Sequence, residues 1–426
     1  TRSLCDWSSD VCSSDLCSIS TSDYPVSMVN MKELDKMMYV KLDLLGLDNI
    51  GVINDACKML GIDRLTPDNT DLDDENVWKS IRDDTTLIFQ WESNSAQAYI
   101  KKFLSDETLK KAKEKISNFS MLRWLSFGNG LIRPACSSFR DSVAKGEFHD
   151  NGFKELNEFL SPEAGMIAMQ ETIMQFLVRF CGYTNAESDN VRRAIAKKKG
   201  TEKLLPEIEE RFVSYSSTHY DISEDRCREV IKPVIQVILD ASSYAFSWNH
   251  ALPYSAIGYI CGYLRYYHPY EFLTTALNIF SDNTDKTSDI TKYAQKVGIE
   301  VTMPKWGISK STYAFDKERH KISKNLTSIK FMSEALADEM FAVAHEREYE
   351  RFVDVLRALE KTSINSRQLD ILIKLDFFSE FGNQRELLRI TSLFYDVFNR
   401  GQAKKISKEK VDGTPLESIV NKYSVG

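Results

Sequence analysis

The chain has 426 residues, 42% of them hydrophobic and 27% charged, a balance typical of globular proteins. No uninterrupted apolar run reaches the length of a membrane-spanning helix, so we expect a soluble, cytoplasmic protein of two or three domains with no membrane partner. The net charge of −7 disfavours a uniformly basic nucleic-acid binder but leaves room for local basic patches.

The eight cysteines include no CxxC pair and no cysteine–histidine set at zinc spacing. Most of them lie among apolar neighbours. This pattern favours buried free thiols in a reducing compartment over a disulfide framework.

Residues 1–16 (TRSLCDWSSDVCSSDL) repeat the pattern Ser-Ser-Asp-apolar and resemble translated sequencing-adaptor DNA. A flexible polar N-terminus is the alternative. Residues 1–16 lack the charged start and the apolar core of a signal peptide. We therefore exclude this leader from the fold prediction and expect the natural protein to continue upstream.

The next informative segment is residues 40–47 (VKLDLLGL), predicted to be a buried strand ending at Gly46. Later strand candidates lie at 299–315 and 321–329. Pro269 is predicted to stop the helix before it, and the tail from 400 onward is polar. The predicted fold class is mostly α with minor β. Hydrophobic spacing predicts helices at 48–60, 76–82, 93–104, 101–115, 170–180, 186–199, 204–216, 224–241, 253–267, 333–346, 352–359, 366–375 and 384–398.

Asp43 interrupts the apolar pattern of the first strand. A carboxylate is costly to bury unless it is paired or bound to a metal. Asp43 therefore lies at a strand edge, pairs with Lys41, or binds a metal ion, and the residues alone leave these alternatives open.

The helix predicted at 186–199 carries five basic residues within its last turns. Thr184 and Glu187 form a predicted capping box at its start. A lysine run at a helix C-terminus is usually solvated and complements the helix dipole, whereas a phosphate-binding face is the functional alternative. The five residues are Arg192, Arg193, Lys197, Lys198 and Lys199.

Together these segments resemble, in order and spacing, the motifs of C-family bacterial replicative DNA polymerases. The chain is similar to that family from about residue 40 to residue 388. The resemblance predicts a multidomain fragment holding the end of the palm, the fingers and a helix-hairpin-helix-like module. The segments that carry it are VKLDLLGL at 40–47, FQWES at 89–93, RP at 133–134, GMIAMQETIM at 165–174, GYT at 182–184 with the basic helix, YAFSWNH at 244–250, LRYYHPYEF at 264–272, IKFMS at 329–333 and NSRQLDILIKLDFF at 365–378.

The resemblance implies template-directed addition of deoxynucleoside monophosphates to a primer 3′-end, with release of pyrophosphate. Asp43 falls on a metal-binding catalytic aspartate of the family and Lys41 on the basic residue near it. Such an aspartate, with partners absent from this sequence, would hold two Mg²⁺ ions. One carboxylate cannot hold both, so this chain alone is expected not to extend a primer.

The same resemblance assigns further residues to ligand binding. The implied nucleotide or phosphate contacts are Arg192, Arg193, Lys197, Lys198, Gln170, Glu171, His250 and Tyr254. The implied DNA contacts are Arg133, Lys199, Lys330 and Arg367. The implied partners are primer–template DNA, deoxynucleoside triphosphates, and a sliding clamp with other replisome subunits.

Several positions depart from the family pattern. Trp248 stands where the family has lysine, and either stacks on a base or packs. Ala135 and Cys136 replace a glycine and a proline. Phe331 and Ser333 stand at the two glycines of a helix-hairpin-helix segment, which let backbone amides approach DNA phosphates, and Asp376 stands at a glycine of the next motif. We expect the fold of this region to survive with weaker DNA contact.

These departures keep a second function open, that of a degenerate polymerase relative that only binds DNA or holds partners. The predicted domain boundaries are a non-native leader at 1–16, the end of the palm at 17–60, the fingers at 61–275, a connecting segment at 276–335, the helix-hairpin-helix-like module at 336–400 and a polar tail at 401–426.

Overall fold

The computed structural model describes residues 17–19, 25–39, 46–133, 136, 139–196, 201–242, 246–399 and 402–403. The chain divides into two compact units, Thr1–Leu47 and Asp48–Gly426. In the first unit, β1 (Cys17–Ile19) pairs antiparallel with β2 (Pro25–Ser27), and helix α1 covers Met31–Lys36. The strand predicted at 40–47 lies outside the described residues except for its last two.

The second unit is built mainly of helices, which confirms the predicted mostly α fold with minor β. No described helix is both long and apolar enough to cross a membrane. The helices are α2 (Asp48–Leu60), α3 (Glu75–Asp83), α4 (Asn94–Phe103), α5 (Asp106–Lys115), α6 (Met121–Leu131), α7 (Arg140–Val143), α8 (Lys154–Leu160), α9 (Gln170–Cys181), α10 (Asn185–Ala196), α11 (Thr201–His219), α12 (Glu224–Ser242), α13 (Trp248–Tyr267), α14 (Pro269–Ile279), α15 (Thr284–Lys296), α16 (Glu334–Glu346), α17 (Phe352–Leu359), α18 (Ser366–Lys374) and α19 (Gln384–Val397).

A three-stranded sheet follows α15 in the chain. Strand β5 (Lys321–Ser323) lies between β3 (Glu300–Thr302), to which it is parallel, and β4 (Ala314–Asp316), to which it is antiparallel. Strands β3 and β5 lie inside the two predicted strand segments and β4 extends one residue beyond the first, but all three are much shorter than predicted. A last short pair joins β6 (Phe398–Asn399) to β7 (Gln402–Ala403).

Helices α3 to α6 pack with α13 around an aromatic core. Trp124 and Phe103 stack with ring centroids 4.7 Å apart, and Trp91 is fully buried beside them. A side chain at Gly128 would meet Phe103 at 2.7 Å, so this glycine permits the close approach of α6.

Three more cores complete the second unit. One is formed by helices α8 to α12 and contains a phenylalanine cluster. The ring centroid of Phe176 lies 5.7 Å from that of Phe180 and 5.7 Å from that of Phe212. Another joins α2, α14 and α15 to the sheet, and a third is formed by α16 to α19. The five described cysteines outside strand β1 are buried free thiols, as predicted, and they are Cys57, Cys136, Cys181, Cys227 and Cys261.

Arg265 is a buried cation that fixes α13 against the end of α3. Its guanidinium donates to the carbonyls of Thr86 at 2.6 Å, Asp84 at 2.7 Å and Ser80 at 3.0 Å. The Asp84 carboxylate lies 3.9 Å away and balances part of the charge. Because only 1% of Arg265 is exposed, these acceptors replace water at its two terminal nitrogens.

Some predicted helix boundaries were wrong. Helix α6 was not predicted, because it is buried on nearly every side and lacks an amphipathic period. Pro269 does not simply stop α13: it occupies the first turn of α14, where its missing amide hydrogen costs nothing. Helix α13 begins five residues before Pro253, because the Ser247 side chain caps the Asn249 amide.

Candidate nucleotide-binding surface

Five of the sequence-predicted site residues lie outside the described part of the chain, and their roles stay predictions. They are Lys41, Asp43, Lys197, Lys198 and Lys199. Among the described residues, no group of three or more histidine, cysteine, aspartate or glutamate side chains could hold a metal ion.

The start of α9 carries two predicted site residues and is joined to the segment before α13. The Gln170 backbone amide donates to the Phe246 carbonyl at 2.9 Å, beside an isolated β-bridge between Met169 and Phe246. The Glu171 carboxylate accepts from the Ser247 hydroxyl at 2.5 Å and from the Trp248 amide at 2.9 Å. Glu171 therefore links the starts of α9 and α13.

Helix α10 begins at the predicted capping box. The Glu187 carboxylate accepts from the Thr184 amide and hydroxyl, both at 2.8 Å, and the Glu187 amide donates to the Thr184 hydroxyl at 3.3 Å. Val191 and Ile195 are buried and hold the helix against its core. The predicted N-terminal boundary of this helix is thus confirmed to within one residue.

The two described arginines of α10 differ in environment. Arg192, whose side chain is 20% exposed, donates to Gln170 Oε1 at 3.0 Å and to Asp189 Oδ1 at 2.7 Å. Arg193 is 63% exposed and pairs with Asp189 Oδ2 at 2.8 Å. The hydrogen bond from Arg192, with both positive charges, holds the pKa of Asp189 below its usual range. One carboxylate thus orients both guanidinium groups.

Aromatic contacts extend this surface towards α13. The Arg133 guanidinium lies 4.7 Å from the Phe246 ring centroid and donates to Gln90 Oε1 at 3.2 Å. His250 lies between the rings of Phe246 and Tyr254, at 6.4 and 6.0 Å. Together with Gln170, Glu171 and α10, these contacts form what we call the finger surface.

Trp248 is half-buried and bonded within the chain, which favours packing over stacking on a base. Its indole Nε1 donates to Glu163 at 3.3 Å, and the Arg123 guanidinium lies 5.7 Å from its ring centroid. Glu163 is 3% exposed and also accepts from Ala168, at 2.6 Å, and from Thr172. Burial raises the pKa of Glu163 to about 7, against the opposing effect of these donors.

Sequence reasoning missed Glu163 as a residue of this site, and it did not assign Gln90 a contact. The partner of Glu163 on α13, Trp248, is 85 positions away in the sequence, so no local pattern reveals that pair.

Two predicted DNA contacts lie elsewhere in the chain: Lys330 is in the loop before α16, and Arg367 is at the start of α18. Both flank Phe331: the Arg367 guanidinium lies 4.0 Å and the Lys330 ammonium 5.2 Å from the ring centroid. Phe331 has φ +74° and Asp376 has φ +59°, so both residues adopt the left-handed backbone that favours glycine.

The loop at Asp376 shows why its fold survives. The Phe377 amide donates to the Leu372 carbonyl, and the Asp376 amide to the Ile373 carbonyl, both at 3.1 Å. This is the Schellman arrangement that ends many helices, normally with glycine at the left-handed position.

Comparison with known proteins places this geometry in a family context. The pattern described as the bacterial DNA polymerase III alpha subunit finger domain matches residues 49–219, and a helix-hairpin-helix motif matches residues 298–388.

Three relatives called DNA polymerase III subunit alpha share similar identities with this chain. The protein from Ureaplasma parvum is 26% identical over 86% of the chain, that from Halalkalibacterium halodurans 25% over 86%, and that from Bacillus subtilis 26% over 84%. The chain spans 36%, 32% and 31% of their lengths, about a third of each.

Proposed function

Because this chain is a relative of the alpha subunit of bacterial DNA polymerase III, we propose that it supplies the fingers and the helix-hairpin-helix region of a replicative DNA-directed DNA polymerase. The proposed reaction of the complete protein adds deoxynucleoside monophosphates to a primer 3′-end and releases pyrophosphate. In that reaction, the proposed role of this chain is to bind the incoming nucleotide and the template.

The observation that supports this role most is the continuity of the finger surface. Gln170 contacts Arg192 across 22 positions, and Glu171 contacts the start of α13 across 76. Residues assigned separately from different motifs therefore meet on one face. A surface of this kind can present several donors to one phosphate-bearing ligand.

The arginines of α10 are the proposed phosphate ligands. Gln170 and Asp189 hold Arg192 in a fixed orientation, which lowers the entropy lost when its planar group binds an anion. Arg193 is more exposed and shares the same carboxylate. A phosphate can exchange for Asp189 at this guanidinium without leaving a buried charge unpaired.

The metal chemistry remains a proposal for residues outside the described part of the chain. We propose that Asp43 is one ligand of two Mg²⁺ ions, which would activate the primer hydroxyl and neutralise the departing pyrophosphate, and that Lys41 lies near a phosphate. Lys197, Lys198 and Lys199 are proposed to extend the basic face of α10. The proposed partners are primer–template DNA, deoxynucleoside triphosphates and a sliding clamp, and the proposed location is the cytoplasm.

The test is binding of a fluorescent deoxynucleoside triphosphate and of primer–template DNA to the 426-residue chain. Arg193→Ala should weaken ligand binding by roughly 1.5–3 kcal/mol, the value of a hydrogen bond to a charged group. The melting temperature should hardly change, because an exposed ion pair contributes little to stability. Arg226→Ala is the matched control, since Arg226 forms a similar exposed pair with Glu229 on α12.

If Arg193→Ala and Arg226→Ala leave binding equally intact, α10 does not bind phosphate. If Arg193→Ala instead lowers the melting temperature strongly, the helix has a structural role.

One observation favours a second function, that of a DNA-binding relative without polymerase activity. Trp248 occupies the position of a family lysine and is bonded internally to Glu163. Primer extension by the complete protein separates the two functions: incorporation that depends on Asp43 supports the enzyme, and DNA binding without incorporation supports the binder.

A further inference from the structure

Phe331 is an exposed aromatic side chain on a loop that is otherwise anchored. It is 44% exposed, whereas its neighbours Ile329 and Met332 are each 8% exposed. The Gln368 amide group donates to the Phe331 carbonyl at 2.6 Å, and the Met332 amide donates to the Ile329 carbonyl at 3.1 Å. The loop thus holds the ring outward in a fixed position.

The backbone at this position is unfavourable for phenylalanine. At φ +74° a Cβ atom costs roughly 1–2 kcal/mol that glycine would avoid. An exposed ring contributes little burial to offset that cost. An unfavourable backbone together with an exposed ring favours a role for Phe331 in contacting a ligand.

Two cations accompany the ring. The Arg367 guanidinium lies 4.0 Å and the Lys330 ammonium 5.2 Å from its centroid, and both side chains are exposed. Neither forms an ion pair with any acidic side chain that the structure describes. Their charges are therefore available to an anion beside the ring.

This arrangement suits an unpaired nucleotide better than a duplex backbone. Glycine in such a loop lets backbone amides reach phosphates, and the Cβ and ring of Phe331 obstruct that approach. An aromatic face with adjacent cations instead stacks on an exposed base and neutralises its phosphates.

We propose that Phe331, Arg367 and Lys330 form a stacking site for an unpaired base of single-stranded DNA. Arg367 supports one ring face while the base takes the other, and the flexible Lys330 side chain moves to the phosphate. The site rests on the proposed function, because the natural ligand is the unpaired template of a polymerase.

The experiment measures binding of labelled oligothymidylate and of a matched duplex to the 426-residue chain by fluorescence anisotropy. Phe331→Ala should weaken oligothymidylate binding by about fivefold to a hundredfold, the range for loss of one base–aromatic stack, and leave duplex binding unchanged. Phe331→Trp should retain binding and add fluorescence that oligothymidylate quenches. Phe331→Gly should lose single-strand affinity and gain duplex affinity.

Phe341→Ala is the matched control, because Phe341 also has a lysine beside its ring, with Lys310 Nζ at 4.6 Å, but lies on helix α16. An equal loss for the two alanine variants, or an unchanged ratio of single-strand to duplex affinity in Phe331→Ala, overturns the stacking site. Absence of all DNA binding by the unaltered chain instead overturns the proposed function.

Discussion

Glu163 should make the stability of the finger region depend on pH. The carboxyl group is buried, and its described contacts are donors: Ala168, Met169, Thr172 and Trp248. Burial is the largest influence and raises the pKa to about 7 from an ordinary 4.5. The folded chain therefore keeps this proton over a range in which the unfolded chain has released it.

The sign follows from proton counting. Between pH 4.5 and about 7 the folded state binds one proton more than the unfolded state, so the free energy of unfolding falls as pH rises. Above pH 7 the Glu163 carboxyl group is ionised in both states, and the free energy of unfolding falls no further on its account. A pKa shift of this size corresponds to a loss of roughly 3 kcal/mol in the free energy of unfolding.

Glu163→Gln should remove this dependence. The amide cannot ionise, but its NH₂ group cannot accept from the Trp248 indole, a loss of about 1 kcal/mol. We expect the variant to be more stable than the parent by about 2 kcal/mol at pH 8, and less stable by about 1 kcal/mol at pH 4.5.

The measurement is urea unfolding from pH 4.5 to 8, together with hydrogen exchange of the Ala168 and Met169 amides, compared at each pH. Glu147→Gln is the control, because Glu147 is an exposed carboxylate on the same segment. Parallel pH profiles for the parent and Glu163→Gln would refute the reasoning.

Three further changes have definite expected outcomes. Arg265→Ala should destabilise the chain by roughly 3–5 kcal/mol in urea unfolding, because buried carbonyls at the end of α3 lose their donors. Asp376→Gly should raise the stability of the α16–α19 module by roughly 0.5–1 kcal/mol, whereas Asp376→Val should lower it, because only glycine adopts the left-handed backbone without strain. In the complete protein, Asp43→Asn should abolish primer extension while leaving primer–template affinity nearly unchanged, which parallel extension and anisotropy assays measure.

Local patterns predicted many of the helices whose signals lie within the helix itself. The boundaries of α2 and α17 are the ones predicted from hydrophobic spacing, and the Thr184–Glu187 capping box marks the start of α10. By contrast, α6 has buried residues on nearly every side, so no amphipathic period distinguishes it.

The candidate site was harder to predict, because its geometry depends on distant pairs. The motif resemblance named Gln170 and Arg192 as separate candidates, but their contact requires the folding of α9 against α10. The environment of Trp248 could not be predicted without its hydrogen bond to Glu163. The spacing of Tyr259, Tyr263 and Tyr267 favours one buried face, yet exposure rises from 0% at Tyr259 to 44% at Tyr267, because α13 leaves the core towards its end.

The link through Glu171 also limits where an anion can bind. Helix N-termini attract negative charge through their dipoles, and the start of α13 would otherwise be such a position. Glu171 already occupies it through the Ser247 hydroxyl and the Trp248 amide. A triphosphate near α13 would therefore meet electrostatic competition from a fixed carboxylate, whereas the far side of α10, at Arg193, offers a cation that is still largely hydrated.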